Sequence, residues 1–94
     1  MKFELHTSSN PDKKYMAIFS DGIKHKTIHF GQKGYEDLTQ HKNMERKTLY
    51  ILRHKARENW ENPMTAGALS RWILWETPSL HMNIAKFKKR FRLE

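Results

Sequence analysis

Apolar and polar residues alternate with period two over the first third of the chain and follow the helical period over the rest, so a sheet followed by helices is expected. Lys2 to His6 set Phe3 and Leu5 against polar neighbours, the pattern of a short strand. In Lys14 to Ser20, Tyr15, Ala17 and Phe19 share one face while Met16 and Ile18 take the other, and Ile23 to Phe30 supplies a third strand. Ser8 to Asp12, SSNPD, is turn chemistry. Asp21-Gly22 between two alternating runs predicts a hairpin closed by a two-residue type I′ turn, which needs positive φ at both positions. That turn sets Tyr15 opposite Ile28, Ala17 opposite Lys26 and Phe19 opposite Lys24, with Met16 opposite Thr27 and Ile18 opposite His25 on the other face. Neither face is wholly apolar, so the short antiparallel sheet, residues 2–30, is expected to be covered on one side only.

Past Gly31-Gln32-Lys33-Gly34 the period lengthens. Those four residues could cradle a phosphate through backbone N–H groups. They lack the spacing and the Lys-Ser/Thr end of a phosphate loop, however, and read as a strand-to-helix turn needing positive φ. A first helix is predicted over residues 37–57. Wound at about 100° per residue, it gathers Met44, Thr48, Ile51 and Leu52 into a stripe that must be buried, and Lys42, Arg46, Arg53 and Arg57 into an arc of about 60° on the opposite side. Glu45 and Glu58 lie outside that arc. A helix that only meets water usually mixes signs to gain i,i+4 pairs, so an all-positive arc points to a binding face.

Asn62 before Pro63, and Thr77 before Pro78, each place a capping side chain ahead of a proline at the first helical position. Two further helices are therefore predicted over 63–75 and 78–91. Small residues, Thr65, Ala66, Gly67, Ala68 and Ser70, bring the first turns of the second helix close to another backbone. RWILW ends it as the most hydrophobic segment of the chain. In the third helix Leu80, Ile84, Phe87 and Phe91 form one stripe, and Lys86, Lys88, Lys89, Arg90 and Arg92 surround its C-terminal half. The macrodipole favours cations at a helix C-terminus by about 0.3–1 kcal/mol each. That accounts for one or two of the five and leaves the others as candidate phosphate contacts.

Composition sharpens this reading. A chain of 94 residues with no cysteine is one α+β domain, residues 1–94, with a thin core and no disulfide to staple it, and a partner subunit would add stability. Eleven aromatics are too many for a disordered tail, although only 37% of the residues are hydrophobic. Eighteen Lys and Arg against ten Asp and Glu leave a formal charge of +8, which favours polyanions such as nucleic acid or anionic membrane. No hydrophobic run approaches the roughly 20 residues of a membrane span, and MKFELHTSSN has no signal-peptide core. The expected location is the cytosol or nucleus, or packaging from there, with no membrane partner.

The segments HKTIHFGQKGY (25–35), ERK (45–47), RH (53–54), RENW (57–60) and NPMTAGALSRWILW (62–75) carry a resemblance. The chain resembles, from about Tyr15 to Leu93, a family of small basic proteins of unknown function encoded by large nucleocytoplasmic DNA viruses, with relatives in some phages and algal virus genomes. TAGALSRWILW is its most specific string, and the N-terminal strand and Ser8–Asp12 turn lie outside it. The resemblance implies a virus-encoded stand-alone domain associated with the viral genome or the infected cell's nucleus. It implies no reaction.

Six histidines without cysteine raise the question of a metal. His25 and His29 share a strand face, His41 and His54 lie about 140° apart around the first helix, and no helical His-x₃-His pair occurs, so no metal site is expected. Tyr15, Tyr35, Arg46, His54 and Glu58 faintly resemble the set used by compact metal-dependent nucleases, but the carboxylates are scattered along the sequence. Trp72 and Trp75, three apart in the most apolar helix, are expected in the core or at a homodimer contact, and Trp60, in a polar connector, to meet a partner. The expected function is non-enzymatic, largely sequence-independent binding of double-stranded DNA by Lys42, Arg46, Arg53 and Arg57. Lys86, Lys89, Arg90 and Arg92 come second, with Lys24, Lys26 and Lys33 as extensions. No cofactor or small-molecule substrate is expected. The alternatives are an adaptor for acidic host or viral proteins and a metal-dependent nuclease.

Overall fold

The computed structural model describes residues 1–94. Strands β1 (Lys2–Thr7), β2 (Lys13–Ser20) and β3 (His25–Gln32) form an antiparallel sheet in sequence order. Alternation buries Phe3, Ala17, Phe19 and Phe30 on one face, while Met16, Ile18 and His29 remain only partly covered on the other.

The β2–β3 register differs from the expected one by two residues. Tyr15 faces Phe30, Ala17 faces Ile28 and Phe19 faces Lys26, leaving a four-residue connection from Asp21 to Lys24. The cause is the Asp21 side chain, whose Oδ1 accepts the Ile23 and Lys24 N–H groups at 3.0 and 2.8 Å and folds Lys24 into the turn. Those bonds, Lys24 first, hold the Asp21 carboxyl below its usual range. A slip of two preserves the face of every side chain, so the apolar set still points inward.

The expected first helix is two. Helix α1 (Leu38–His41) is opened by Asp37, which forms a capping box with Gln40, and is ended by Lys42 in the left-handed region at φ 58°. Asn43 then recaps the chain, its Oδ1 accepting the Glu45 and Arg46 N–H groups, and α2 runs from Met44 to His54. Lys42 and Arg57 therefore lie outside α2. The buried side also differs from expectation. Met44 and Leu52 are 53% and 56% exposed, whereas Tyr50 is buried and Lys47, Ile51 and His54 are partly covered. The determinant is aromatic: Tyr50 stacks on Trp75 with centroids 4.4 Å apart and planes 4° from parallel.

Helix α3 (Ala66–Leu69) is capped by Thr65, not Asn62, and continues directly as a π-helical turn over Ser70–Leu74. Helix α4 (Leu80–Arg90) is capped by Ser79, not Thr77. Asn62-Pro63 and Thr77-Pro78 form turns ahead of these starts: Asn62 Oδ1 receives the Met64 N–H, and the Thr77 N–H and hydroxyl both donate to Asn83. Asn83, fully buried, also donates to the Ile73 and Thr77 carbonyls at 2.8 and 2.9 Å, joining the π turn to α4 with all its hydrogen-bonding capacity used.

The helices cover the apolar face of the sheet. Phe87 of α4 meets Phe3 and Phe19, and Leu69, Ile73 and Leu74 complete the buried cluster. Glu76 joins three elements, with its carboxylate 3.8 Å from Lys47 of α2, 3.0 Å from Arg71 of the π turn and 3.1 Å from Lys86 of α4. Burial pushes the Glu76 carboxyl up, but Lys86 and Arg71 outweigh it and leave the group below its usual range. A depressed native pKa adds stability above the unfolded value, and that stability is lost as pH falls through the native one. Glu76→Gln is therefore expected to cost about 1 kcal/mol near neutral pH. The gap to wild type should narrow in acid, as read by denaturant unfolding at pH 7 and pH 3.

Candidate nucleic-acid interface

Turning the Tyr50 side of α2 inward carries Arg46 and Arg53 with it, because both lie within about 60° of Tyr50 around the helix. They line an open cleft of about 600 Å³ between α2, the ends of β2 and β3, the loop before α1, and α3 with its π turn. Lys13, at the start of β2 and paired with Gln32, enters from the sheet side. His54 stacks on Tyr50 at 4.4 Å, so His54, Tyr50 and Trp75 form an aromatic wall. Tyr35 stands at the rim with 69% of its surface exposed.

The charges in this cleft differ in availability. Lys14 is engaged by Asp37 and Gln40, both at 2.7 Å. Arg46 approaches Glu36 at 3.5 Å, a pair open to water and so weakly held. Arg53, Lys13 and Glu58 belong to none of the six ion pairs of the chain. The Glu58 carboxylate presses against Gly67 so closely that a Cβ there would collide with it. Burial, and then the negative charge of Glu58, raise the Tyr50 hydroxyl above its usual range. Burial, and then Arg46, lower the pKa of His41, whose Nδ1 accepts the Asn43 N–H. No group of three or more His, Asp or Glu side chains is arranged to hold a metal ion.

Of the residues singled out by sequence, the structure brings Arg46 and Arg53 together in the cleft, and Lys33 borders a smaller depression that shares Tyr35 and Asp37 with it. Lys42 and Arg57 are exposed beyond the two ends of α2. Lys24 and Lys26 stand at the hairpin end of β3, six residues or more from Gln32, about 20 Å along a strand. Lys86, Lys89, Arg90 and Arg92 belong to the α4 end of the fold and none lines the cleft. Lys86 is held by Glu76, and the Arg90 guanidinium lies 3.7 Å from the Trp72 ring centre.

The two tryptophans expected at a core or homodimer contact differ in where their rings go. Trp75 is filled into the chain's own core against Tyr50, and Trp72 is half-buried with Arg71 and Arg90 over its ring and its N–H donated to the Trp60 carbonyl at 2.8 Å. Trp60 is itself half-buried, 5.5 Å from Arg71. Sequence reasoning passed over Lys13 and the wall formed by Tyr50 and Trp75. Of the set weighed for a nuclease, Tyr35, Arg46, His54 and Glu58 line the same cleft and Tyr15 does not.

A three-strand meander covered on one face, with an open cleft at its edge lined by four Lys and Arg and three Asp and Glu side chains, defines a small α+β protein whose site lies between sheet and helix. The chain belongs to the Family of unknown function (DUF5754), whose pattern matches residues 3–54. The match takes in β1, which the resemblance read from the sequence left out, and ends before Glu58 and the TAGALSRWILW segment. No curated protein and no solved structure matches the chain. No helix is long and apolar enough to cross a membrane.

Proposed function

We propose that this protein binds double-stranded DNA without catalysing a reaction on it, by neutralising backbone phosphates at the cleft. The observation that carries the reading is the convergence of Arg46, Arg53 and Lys13 from two separate elements on one open cleft, with Arg53 and Lys13 unpaired. Cations without acidic partners leave only counterions to release when phosphates replace them, which favours binding and makes it salt-dependent. The setting we propose, on the resemblance of residues 15–93 alone, is the cytoplasm or nucleus of a cell infected by a large DNA virus, with packaging into the virion.

The test is fluorescence anisotropy of a random-sequence duplex over a salt series. Replacing Arg46 and Arg53 by Ala together should weaken binding equally for all sequences and flatten the log–log slope by about 0.9 for each phosphate no longer neutralised. An unchanged slope removes α2 from the interface. A second reading draws on the presence of Tyr35, Arg46, His54 and Glu58 in one cleft. This is a metal-dependent nuclease, and nicking of a supercoiled plasmid with Mg²⁺ or Mn²⁺ present would establish it.

A further inference from the structure

The cleft holds one feature that phosphate neutralisation does not use. Glu58, half-buried and outside every ion pair of the chain, lines the same cleft as Arg46, Arg53 and Lys13, with its carboxylate beside Gly67. A carboxylate repels phosphate, so if the cleft takes nucleic acid, this end of it must meet hydrogen-bond donors. Within a DNA strand the hydrogen-bond donors are on the bases. The cleft volume, about 600 Å³, falls within the range of about 300–1,000 Å³ typical of small-ligand sites. It is large enough for one unpaired nucleotide, such as a strand end or a base turned out of the stack, beside the backbone phosphates of a duplex. Tyr35, largely exposed at the rim, gives such a base a ring to stack on.

We propose that the cleft receives a single unpaired nucleotide of the DNA, the phosphates on either side of it on Arg46, Arg53 and Lys13, its base against Tyr35 and its Watson–Crick edge on the Glu58 carboxylate, with guanine preferred. Guanine is the base whose Watson–Crick edge carries adjacent N1–H and N2–H donors, and two parallel donors match the two oxygens of a carboxylate. Adenine and cytosine present a single amino group beside an acceptor that the carboxylate repels, and thymine presents one N–H between two carbonyls. This assignment rests on the nucleic-acid reading above and adds to it which part of the polymer enters the cleft.

The full chain, titrated with dGMP, dAMP, dCMP and dTMP by calorimetry, tests it, with a fully paired random-sequence duplex oligonucleotide as the phosphate control. The wild type should bind dGMP about tenfold more tightly than the other three, the discrimination expected of a bidentate contact. Glu58→Gln, close in size, should erase that preference while binding dTMP and the oligonucleotide at least as tightly, because a repulsive charge has gone. Equal affinity for all four nucleotides, or a Glu58→Gln variant that tightens all four alike, would overturn base reading by Glu58. If that happens while the oligonucleotide still binds through Arg46 and Arg53, phosphate binding stands and only this inference falls. Failure of every nucleotide and the oligonucleotide to bind at low salt would end both.

Discussion

Tyr50→Ala is expected to lower the free energy of unfolding by about 4 kcal/mol. The Tyr50 ring is the one side chain of α2 that lies fully within the core, stacked on Trp75 on one side and His54 on the other. Truncation removes both stacks and opens a void between α2 and the π turn that neighbouring elements cannot fill without moving α2. For a chain of this size, each kcal/mol moves the melting temperature by about 4–8 °C, so the variant should melt some 20 °C below wild type or fail to fold at all. Tyr50→Phe keeps the ring and should remain within about 1 kcal/mol of wild type. Thermal denaturation of the two variants side by side decides the matter: a Tyr50→Ala protein as stable as Tyr50→Phe would show that α2 is not anchored by the stack.

Asn83→Asp should cost about 3 kcal/mol at neutral pH although it changes one atom. The Nδ2 group of Asn83 donates to the Ile73 and Thr77 carbonyls from a fully buried position. Aspartate puts an oxygen there, facing two carbonyl oxygens, and adds a charge out of reach of water. A carboxyl in that place has its pKa raised. By linkage, the penalty is full above the raised native pKa and shrinks as pH falls through it toward the ordinary carboxylate value. The variant should therefore recover relative to wild type in mild acid. Urea midpoints at pH 7 and pH 5 measure it, and a variant as stable as wild type at pH 7 would mean that the amide does not join the π turn to α4.

Local patterns carried the sheet and failed at its connections. Alternation in Phe3–Leu5 and Tyr15–Phe19 identified the strands and the buried face because a strand's two sides follow from spacing alone. The register slipped by two because Asp21 acts through its side chain, which Asp-Gly statistics do not separate from a two-residue turn. The break between α1 and α2 was visible in principle, since Asn43 followed by Glu45 is a helix start lying inside an apolar period that ran through it. The orientation of α2 was not. Met44, Thr48, Ile51 and Leu52 make the tidier stripe, and only the meeting of Tyr50 with Trp75, 25 residues apart, turns the helix the other way. Asn83 gave no sequence signal, because a buried, fully bonded amide looks like any polar residue within a helix.

The candidate site divides in the same way. Arg46 and Arg53 were legible as one cationic face because seven residues make two helical turns. That the face lines a cleft, instead of projecting away from the buried side, followed from the rotation that Tyr50 imposes. Lys13 and Glu58 join it from elements that sequence cannot place side by side. The α4 cations read as a second contact set belong to another part of the fold, where Glu76 and Trp72 engage two of them.

The central claim is that the cleft cations bind phosphate, and the affinity of the purified protein for a random-sequence duplex between about 50 and 200 mM salt tests it most directly. The account predicts a linear fall of log affinity with log salt, the same slope for a scrambled duplex, and a slope shallower by about 1.8 when Arg46 and Arg53 are both replaced by Ala. No binding at the lowest salt, or binding that salt leaves unchanged, would contradict it and assign the charge of +8 to an acidic protein partner instead.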